Sequence, residues 1–460
     1  MPVRLIDSLT ATAPLADIFS DASVLRAMVR FEVALAQVEG QLGIIPAGAA
    51  ESIHQAATPE KFNVASLASA TLLSATPLSA TPAIPFVKQL TEQVRSVNPI
   101  AAGFVHWGAT SQDLCDTAMI LLLQEARAIF AADIQRLETQ LGQVAEKHAD
   151  TVMLGRTLLQ PATPITFGLK AAGWLGAIHR ARKLVDQAFD EALVLQFGGA
   201  SGTLAALGDR GLEVAEALAT HLKLRLPDAP WHAHRDRLAT LLSACGVVVG
   251  VLAKMARDII LLMQPEVGEV REASAEGRGG SSTMPHKQNP VGCTLTLAAA
   301  NRTPGLIANF LSGMVQEHER AAGGWQAEWS TIADVMSATG MAIASMATVA
   351  DGLTVDAGRM RANIEAMQGR IFAEKAMILL GAAVGRDLAH KLVEDATRRS
   401  VEQGRRLKDV LAEMKEVQQH ISSQELKALE NPEAYIGSAR AFQQRLLASS
   451  GQHHAKRQKG

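Results

Sequence analysis

The run Glu276-Gly-Arg-Gly-Gly-Ser281-Ser282-Thr283-Met284-Pro285-His286-Lys287-Gln288-Asn289-Pro290 gathers the residues best suited to chemistry. Three glycines ahead of two serines predict a flexible stretch that takes positive φ and lets a ligand approach the backbone. Asn289-Pro290 then reads as a helix start, with Asn at the N-cap and Pro at the first helical position. A lysine just before exposed N–H groups suits a carboxylate, because both favour negative charge. On these grounds alone an anion-binding site and a plain flexible linker are equal alternatives, and no reaction is specified.

The segment from Gly280 to Pro290 resembles the signature loop of the fumarase/aspartase superfamily. Two further segments resemble that family in the expected order: His106-Trp-Gly-Ala-Thr110-Ser111-Gln-Asp113, and Gly155-Arg156-Thr157-Leu158-Leu159-Gln160-Pro161. Gly198-Gly199-Ala-Ser-Gly202-Thr203 is similar to its glycine-rich turn. The resemblance implies an all-α fold of three domains with a long central helix bundle, assembled as a homotetramer whose active sites draw on three subunits. It also implies that Ser281 exchanges the proton on the carbon beside a carboxylate, while Lys287 and nearby amides stabilise the dianionic aci-carboxylate. His106, Thr110, Ser111, Thr157, Gln160, Ser282, Met284 and Asn289 would bind substrate; Arg156 is as well suited to orienting its segment as to touching a ligand. The chemistry agrees with this implication. Such a carbanion is reachable only if its charge spreads onto oxygens held by preorganised donors, and a serine can act as base only in a closed, dry site.

Two departures narrow the reaction. Family members that expel an amine or hydroxide carry Thr-His where this chain has Thr157-Leu158, and pair that histidine with a glutamate at the position of Thr294. Both halves of the pair are missing. Such a proton donor contributes about 10²–10⁴-fold in rate. An oxygen that attacks or leaves as a carboxylate needs none, since a carboxyl with a pKa near ~4 is already ionised at neutral pH. The resemblance then points to the cycloisomerase branch of the superfamily, in which one carboxylate of a small tricarboxylate diene adds across the diene and closes a lactone. The stretch from His318 to Trp329 also resembles that branch. A conventional lyase related to the adenylosuccinate enzymes and a non-catalytic structural homologue are the alternatives.

These residues need elements to hold them. Helical periodicity dominates, with no convincing run of alternating β-branched residues. Helices are expected over 21–42 (Asp21 as N-cap, Gly43 as stop), 113–148, 169–195, 235–263 and 290–311. The Ala75-Thr-Pro and Ala80-Thr-Pro pair suggests a loop, and the stretch from Asp351 to Asp356 a change of element. Domains are placed at 1–112, 113–353 and 354–460, with a frayed tail beyond Ser450. The apolar run from Leu241 to Ala253 is shorter than the roughly 20 residues of a bilayer span and reads as a core helix. The chain's 460 residues are 48% hydrophobic and 20% charged with a net charge of −2, which gives no electrostatic reason for a nucleic-acid or membrane partner. One tyrosine and a 4% aromatic share disfavour base-stacking platforms. Cys115, Cys245 and Cys293 match no metal spacing and read as buried thiols of a cytoplasmic protein. No nucleotide loop or metal-ligand cluster stands out, so no cofactor and no metal are expected. Trp325 and Trp329, one helical turn apart, read as packing, and His286 and His318 as solvated or structural.

Overall fold

A computed structural model describes residues 8–71, 80–273, 280, 284 and 287–457. Its elements are overwhelmingly α-helical, as expected. The five longest segments are Ser111–Lys147, Phe167–Ala192, Asp236–Met263, Val291–Ser312 and Gly324–Asp351; the first four lie within a few residues of their expected bounds, whereas the fifth was not among the expected helices. The chain divides into two compact units. The first comprises Met1–Gln135, Ala181–Ala253 and Thr294–Met346, the second Arg136–Arg180, Lys254–Cys293 and Ala347–Gly460.

In the first unit the Asp21–Gln41 helix buries Leu25, Met28, Val29, Phe31, Leu35 and Val38, a stripe at three-to-four spacing. Its N-cap is Ser20, whose hydroxyl accepts from the Ser23 N–H; Asp21 is instead the first helical residue, where its charge favours the N-terminal dipole. Gly43 follows the helix at φ +70°, the left-handed turn that only glycine takes freely. In the Ser111 helix Ile120, Leu121, Leu122 and Leu123 are all buried, and four consecutive residues point in four directions, so that stretch is covered on every side. The three cysteines are buried and take part in no disulfide. The Asp236–Met263 helix is longer than the apolar run read from the sequence. It and Gly324–Asp351 are long and apolar enough to cross a membrane, yet 56% and 78% of their most apolar windows are buried within the chain, as in helices of a protein core.

The second unit holds what the periodicity missed. Val152–Thr157 and Gln160–Thr166 form an antiparallel hairpin, paired from Val152 with Thr166 to Thr157 with Gln160, with a bulge near Gly155. Gly155 is required there: a Cβ would lie 2.6 Å from the Thr163 carbonyl oxygen. Pro161 and Pro164 mask the strand signal, because proline is a poor strand former and edge or irregular pairing is where it survives. The expected change of element after Asp351 is a helix end followed by Thr354–Val355, which pairs with Val270–Arg271. The shorter C-terminal helices enclose a core of Val152, Leu154, Phe372, Leu380, Val393, Leu407, Val410 and Leu411. The last helix, Ala439–Arg457, continues past Ser450, where fraying was expected.

Candidate active site

Of the first motif, His106, Thr110 and Ser111 lie in the first unit just ahead of, and at the start of, the Ser111 helix. Asp113 fixes their backbone. Its Oδ2 accepts from the N–H groups of Thr110 (3.1 Å) and Gly199 (2.9 Å), and its Oδ1 from the Gly198 N–H (3.0 Å). His232 Nε2 lies 2.7 Å from the same Oδ1. A fully buried carboxylate is thus satisfied by four partners, and the two sequence motifs are clasped together through it. Gly199 sits at φ +67° with its would-be Cβ 2.9 Å from the Gly108 carbonyl oxygen, so no other residue fits the clasp.

Behind Asp113, Arg235 is buried between Asp116 and Glu328, with contacts of 2.8 and 2.7 Å, and lies over the Trp231 ring at 4.6 Å. Trp325 packs edge-on against Trp329 and donates its indole N–H to Asp116, which bears out their packing role. Burial raises the Glu328 pKa, a shift that the Arg235 charge opposes. Truncating one member of such a set leaves an unpaired charge in the core, so it serves architecture more than turnover.

His106 stands at φ +60°, a sparsely populated conformation for a residue with a Cβ. Its Nδ1 lies 2.5 Å from Glu32 Oε1, and Glu32 is buried. Burial would lower the histidine's pKa, but the charge and hydrogen bond of Glu32, aided by Asp113, raise it above the ordinary value. Seven residues along the same helix, Glu39 is fully buried, with neither carboxylate oxygen hydrogen-bonded among the described residues. Burial, with the Glu32 charge beside it, pushes its pKa up to about 9.

The second unit holds the other motifs. Thr157 and Gln160 face each other across the hairpin tip, both exposed. Between them Leu158 and Leu159 take φ +50° and +65° and are 97% and 72% exposed. Arg156 orients this hairpin: its guanidinium grips the buried Glu269 carboxylate through two bonds of 2.7 and 2.9 Å, and Asn363 donates to Glu269 as well. In the signature loop, Ser281 and Ser282 lie outside the described residues, as does His286. Met284 and Lys287 are exposed, and the Lys287 N–H donates to the Met284 carbonyl.

The helix after the loop starts at Val291, one residue later than Pro at the first position requires, and Asn289 contributes its carbonyl to the Val291 N–H. The N-terminal amides expected to await a ligand carboxylate are partly taken. Glu272 accepts from the Gly292 and Cys293 N–H groups, each at 3.0 Å, so a protein carboxylate occupies the helix N-terminus. Sequence reasoning overlooked Glu32, Glu39, His232, Arg235, Glu269 and Glu272. The first two had a signal: two acids at i and i+7 on the apolar stripe of one helix are unusual and mark a buried polar site. The partners of the others are set by tertiary contacts that spacing does not encode.

A predominantly helical fold that carries a serine- and lysine-bearing loop, a threonine-serine helix start and a hairpin tip flanked by Thr157 and Gln160 defines a lyase-type enzyme. Residues 8–305 match the lyase family, and residues 369–446 match the family of the adenylosuccinate lyase C-terminus. The chain belongs to that lyase family, within the fumarase/aspartase superfamily. It is 46% identical to a 3-carboxy-cis,cis-muconate cycloisomerase of Pseudomonas aeruginosa, over 98% of this chain and 97% of the relative. The crystal structure of 3-carboxy-cis,cis-muconate lactonizing enzyme from Pseudomonas putida superposes with a TM-score of 0.91 at 45% identity, covering 96% of this chain and 98% of the other. A nitrosuccinate lyase of Streptomyces davaonensis is 38% identical over 95% of this chain and 92% of its own length.

Proposed function

We propose that the chain catalyses the cycloisomerisation of 3-carboxy-cis,cis-muconate to 4-carboxymuconolactone, a step of aromatic-compound degradation. One carboxylate oxygen of the substrate adds to the diene and forms the C–O bond of the lactone. The displaced π electrons move onto the neighbouring carboxylate as an aci-carboxylate, and Ser281 delivers a proton to the adjacent carbon. With all carboxylates ionised at the start, one proton is taken up from the medium per turnover. Lys287 holds the developing dianion, where preorganised charge is most effective. His106, Thr110, Ser111, Thr157, Gln160, Ser282, Met284 and Asn289 bind the remaining carboxylates and carbon frame. No metal or organic cofactor is required by this sequence of steps.

The observation that carries the proposal is the hairpin tip. Where relatives that handle a basic leaving group place a histidine, the tip presents two exposed leucines between Thr157 and Gln160, and Thr294 stands where the partner glutamate would be. A carboxylate nucleophile needs no proton donor there. The test is to offer 3-carboxy-cis,cis-muconate and follow loss of the conjugated diene by ultraviolet absorbance, with adenylosuccinate and nitrosuccinate in parallel. Turnover of muconate alone is expected. Turnover of adenylosuccinate but not muconate would overturn the proposal, and turnover of nitrosuccinate alone would keep the leaving-group argument, since nitrite also departs as a weak base, while replacing the substrate. Leu158→His is expected to bring no gain in lactonization.

The same reading places the protein in the cytoplasm as a homotetramer with sites shared among subunits, built of domains at 1–112, 113–353 and 354–460. Association is supported by two faces of the first unit. Thr240, Ser243, Val247 and Gly250 form an exposed, uncharged stripe on the Asp236 helix, and Ala298, Gly305, Ala308 and Leu311 form another on Val291–Ser312, whose one charge is Arg302. Long uncharged surfaces of this kind are the usual signature of subunit interfaces.

A further inference from the structure

The family's usual His–Glu pair is missing from positions 158 and 294, but the first unit contains another. His106 Nδ1 is 2.5 Å from Glu32 Oε1, Glu32 is 1% exposed, and the His106 side chain is 15% exposed. Among the described residues no hydrogen bond engages His106 Nε2, so the ring is held from behind and presents its other nitrogen outward. The strained φ of +60° at His106 is what turns the side chain onto Glu32, and strain of this kind survives where a surrounding structure over-determines it. The other charged group acting on the ring is Asp113, on the Ser111 helix. Asp113 is already engaged by three backbone N–H groups and His232. Among the described residues Glu32 is therefore the one anion directed at His106 Nδ1.

We propose that Glu32 is a positioning residue that fixes His106 as a cation, with Nδ1 bound and Nε2 directed at a carboxylate of the substrate. The dyad stands in the opposite relation to the reaction from the pair it outwardly resembles. It serves an anion that must stay ionised to attack or be held, rather than a leaving group that must be protonated. A neutral imidazole would offer one donor and no charge, whereas a glutamate-backed imidazolium offers a charge-assisted hydrogen bond. The inference rests on the cycloisomerase reading for the identity of the carboxylate, but the dyad itself does not depend on it.

The experiment compares wild type, Glu32→Gln and His106→Asn in the full-length protein between pH 6 and 9, by steady-state kinetics on 3-carboxy-cis,cis-muconate and by calorimetry with tricarballylate, an unreactive tricarboxylate. Glu32→Gln is expected to raise KM and the tricarballylate Kd roughly tenfold at pH 7.5, the size of one charge-assisted hydrogen bond, with a smaller change in kcat. Its binding should weaken as pH rises through the ordinary histidine range near ~6.5, whereas wild type should hold its affinity to higher pH. His106→Asn, which tolerates the left-handed backbone, should bind as weakly and show no such pH dependence. Wild-type affinity and pH profile in either variant would overturn the dyad. Should Glu32→Gln fail to fold, His106→Asn decides alone. If wild type does not turn over muconate, the parent reading fails, while the calorimetric comparison still tests the dyad.

Discussion

At the scale of single residues, the candidate site separates groups that act on substrate from groups that hold others in place. Lys287 is exposed and bonded only through its backbone to Met284 in what the structure describes, so it is available to a ligand and contributes little to the fold. Lys287→Ala and Ser281→Ala are therefore expected to lower turnover at least ~10²-fold, as loss of one preorganised donor or the proton carrier does, with an unchanged circular-dichroism melt. Glu39 behaves oppositely. Its pKa rises from 4.5 to about 9, so between those values the folded chain keeps a proton that the unfolded chain has lost. Stability then falls as pH rises through that window, by at most ~1.4 kcal/mol per pH unit, and the loss is complete above the folded pKa. Glu39→Gln removes the dependence. Its melting temperature should exceed that of wild type by a larger margin at pH 8.5 than at pH 5.5; an equal margin at both would show that Glu39 titrates normally.

At the scale of elements, the hairpin from Val152 to Thr166 carries the clearest strain. Two adjacent leucines occupy left-handed conformations at a two-residue turn of the kind that favours Asn-Gly, and a non-glycine residue held there costs about 1–3 kcal/mol. Leu158→Asn with Leu159→Gly should therefore stabilise the protein by ~1 kcal/mol or more in thermal melts and lower kcat/KM on muconate, because the apolar tip is lost. A variant with neither gain in stability nor loss of activity would remove the hairpin from the site. This element also shows where sequence reading stops. The long helices were legible because their apolar spacing persists over many turns, as in Ser111–Lys147. The hairpin was not, because Pro161, Pro164 and the Leu-Leu turn contradict strand and turn propensity, and tertiary anchoring of Arg156 by Glu269 overrides them. The motif residues His106, Thr110 and Lys287 were legible from resemblance. Glu272 was not, since its partners Gly292 and Cys293 lie some twenty residues on and only the folded chain brings their amides to its carboxylate.

At the scale of the whole molecule, the proposed sharing of sites among subunits has a direct consequence for mixtures of variants. His106 and Lys287 fall in different compact units of the chain. If one active site takes His106 from one subunit and Lys287 from another, neither His106→Asn nor Lys287→Ala homotetramers contain an intact site, but hybrids do. In an equal mixture dissociated and reassembled at random, the subunit that donates Lys287 is intact in half of cases, and so, independently, is the one that donates His106. Measured at substrate well below KM, where the binding defect of His106→Asn is fully expressed, activity should therefore recover to about a quarter of wild type, the product of those two halves in a symmetric assembly. The same mixture left unshuffled should stay at the level of the parents, which controls for simple addition of residual rates. If instead both residues of each site come from one subunit, every site in every hybrid carries one lesion and shuffling restores nothing. The recovery of activity on shuffling thus distinguishes a site assembled between chains from one contained in each, independently of how tightly the uncharged faces of the Asp236 and Val291 helices associate.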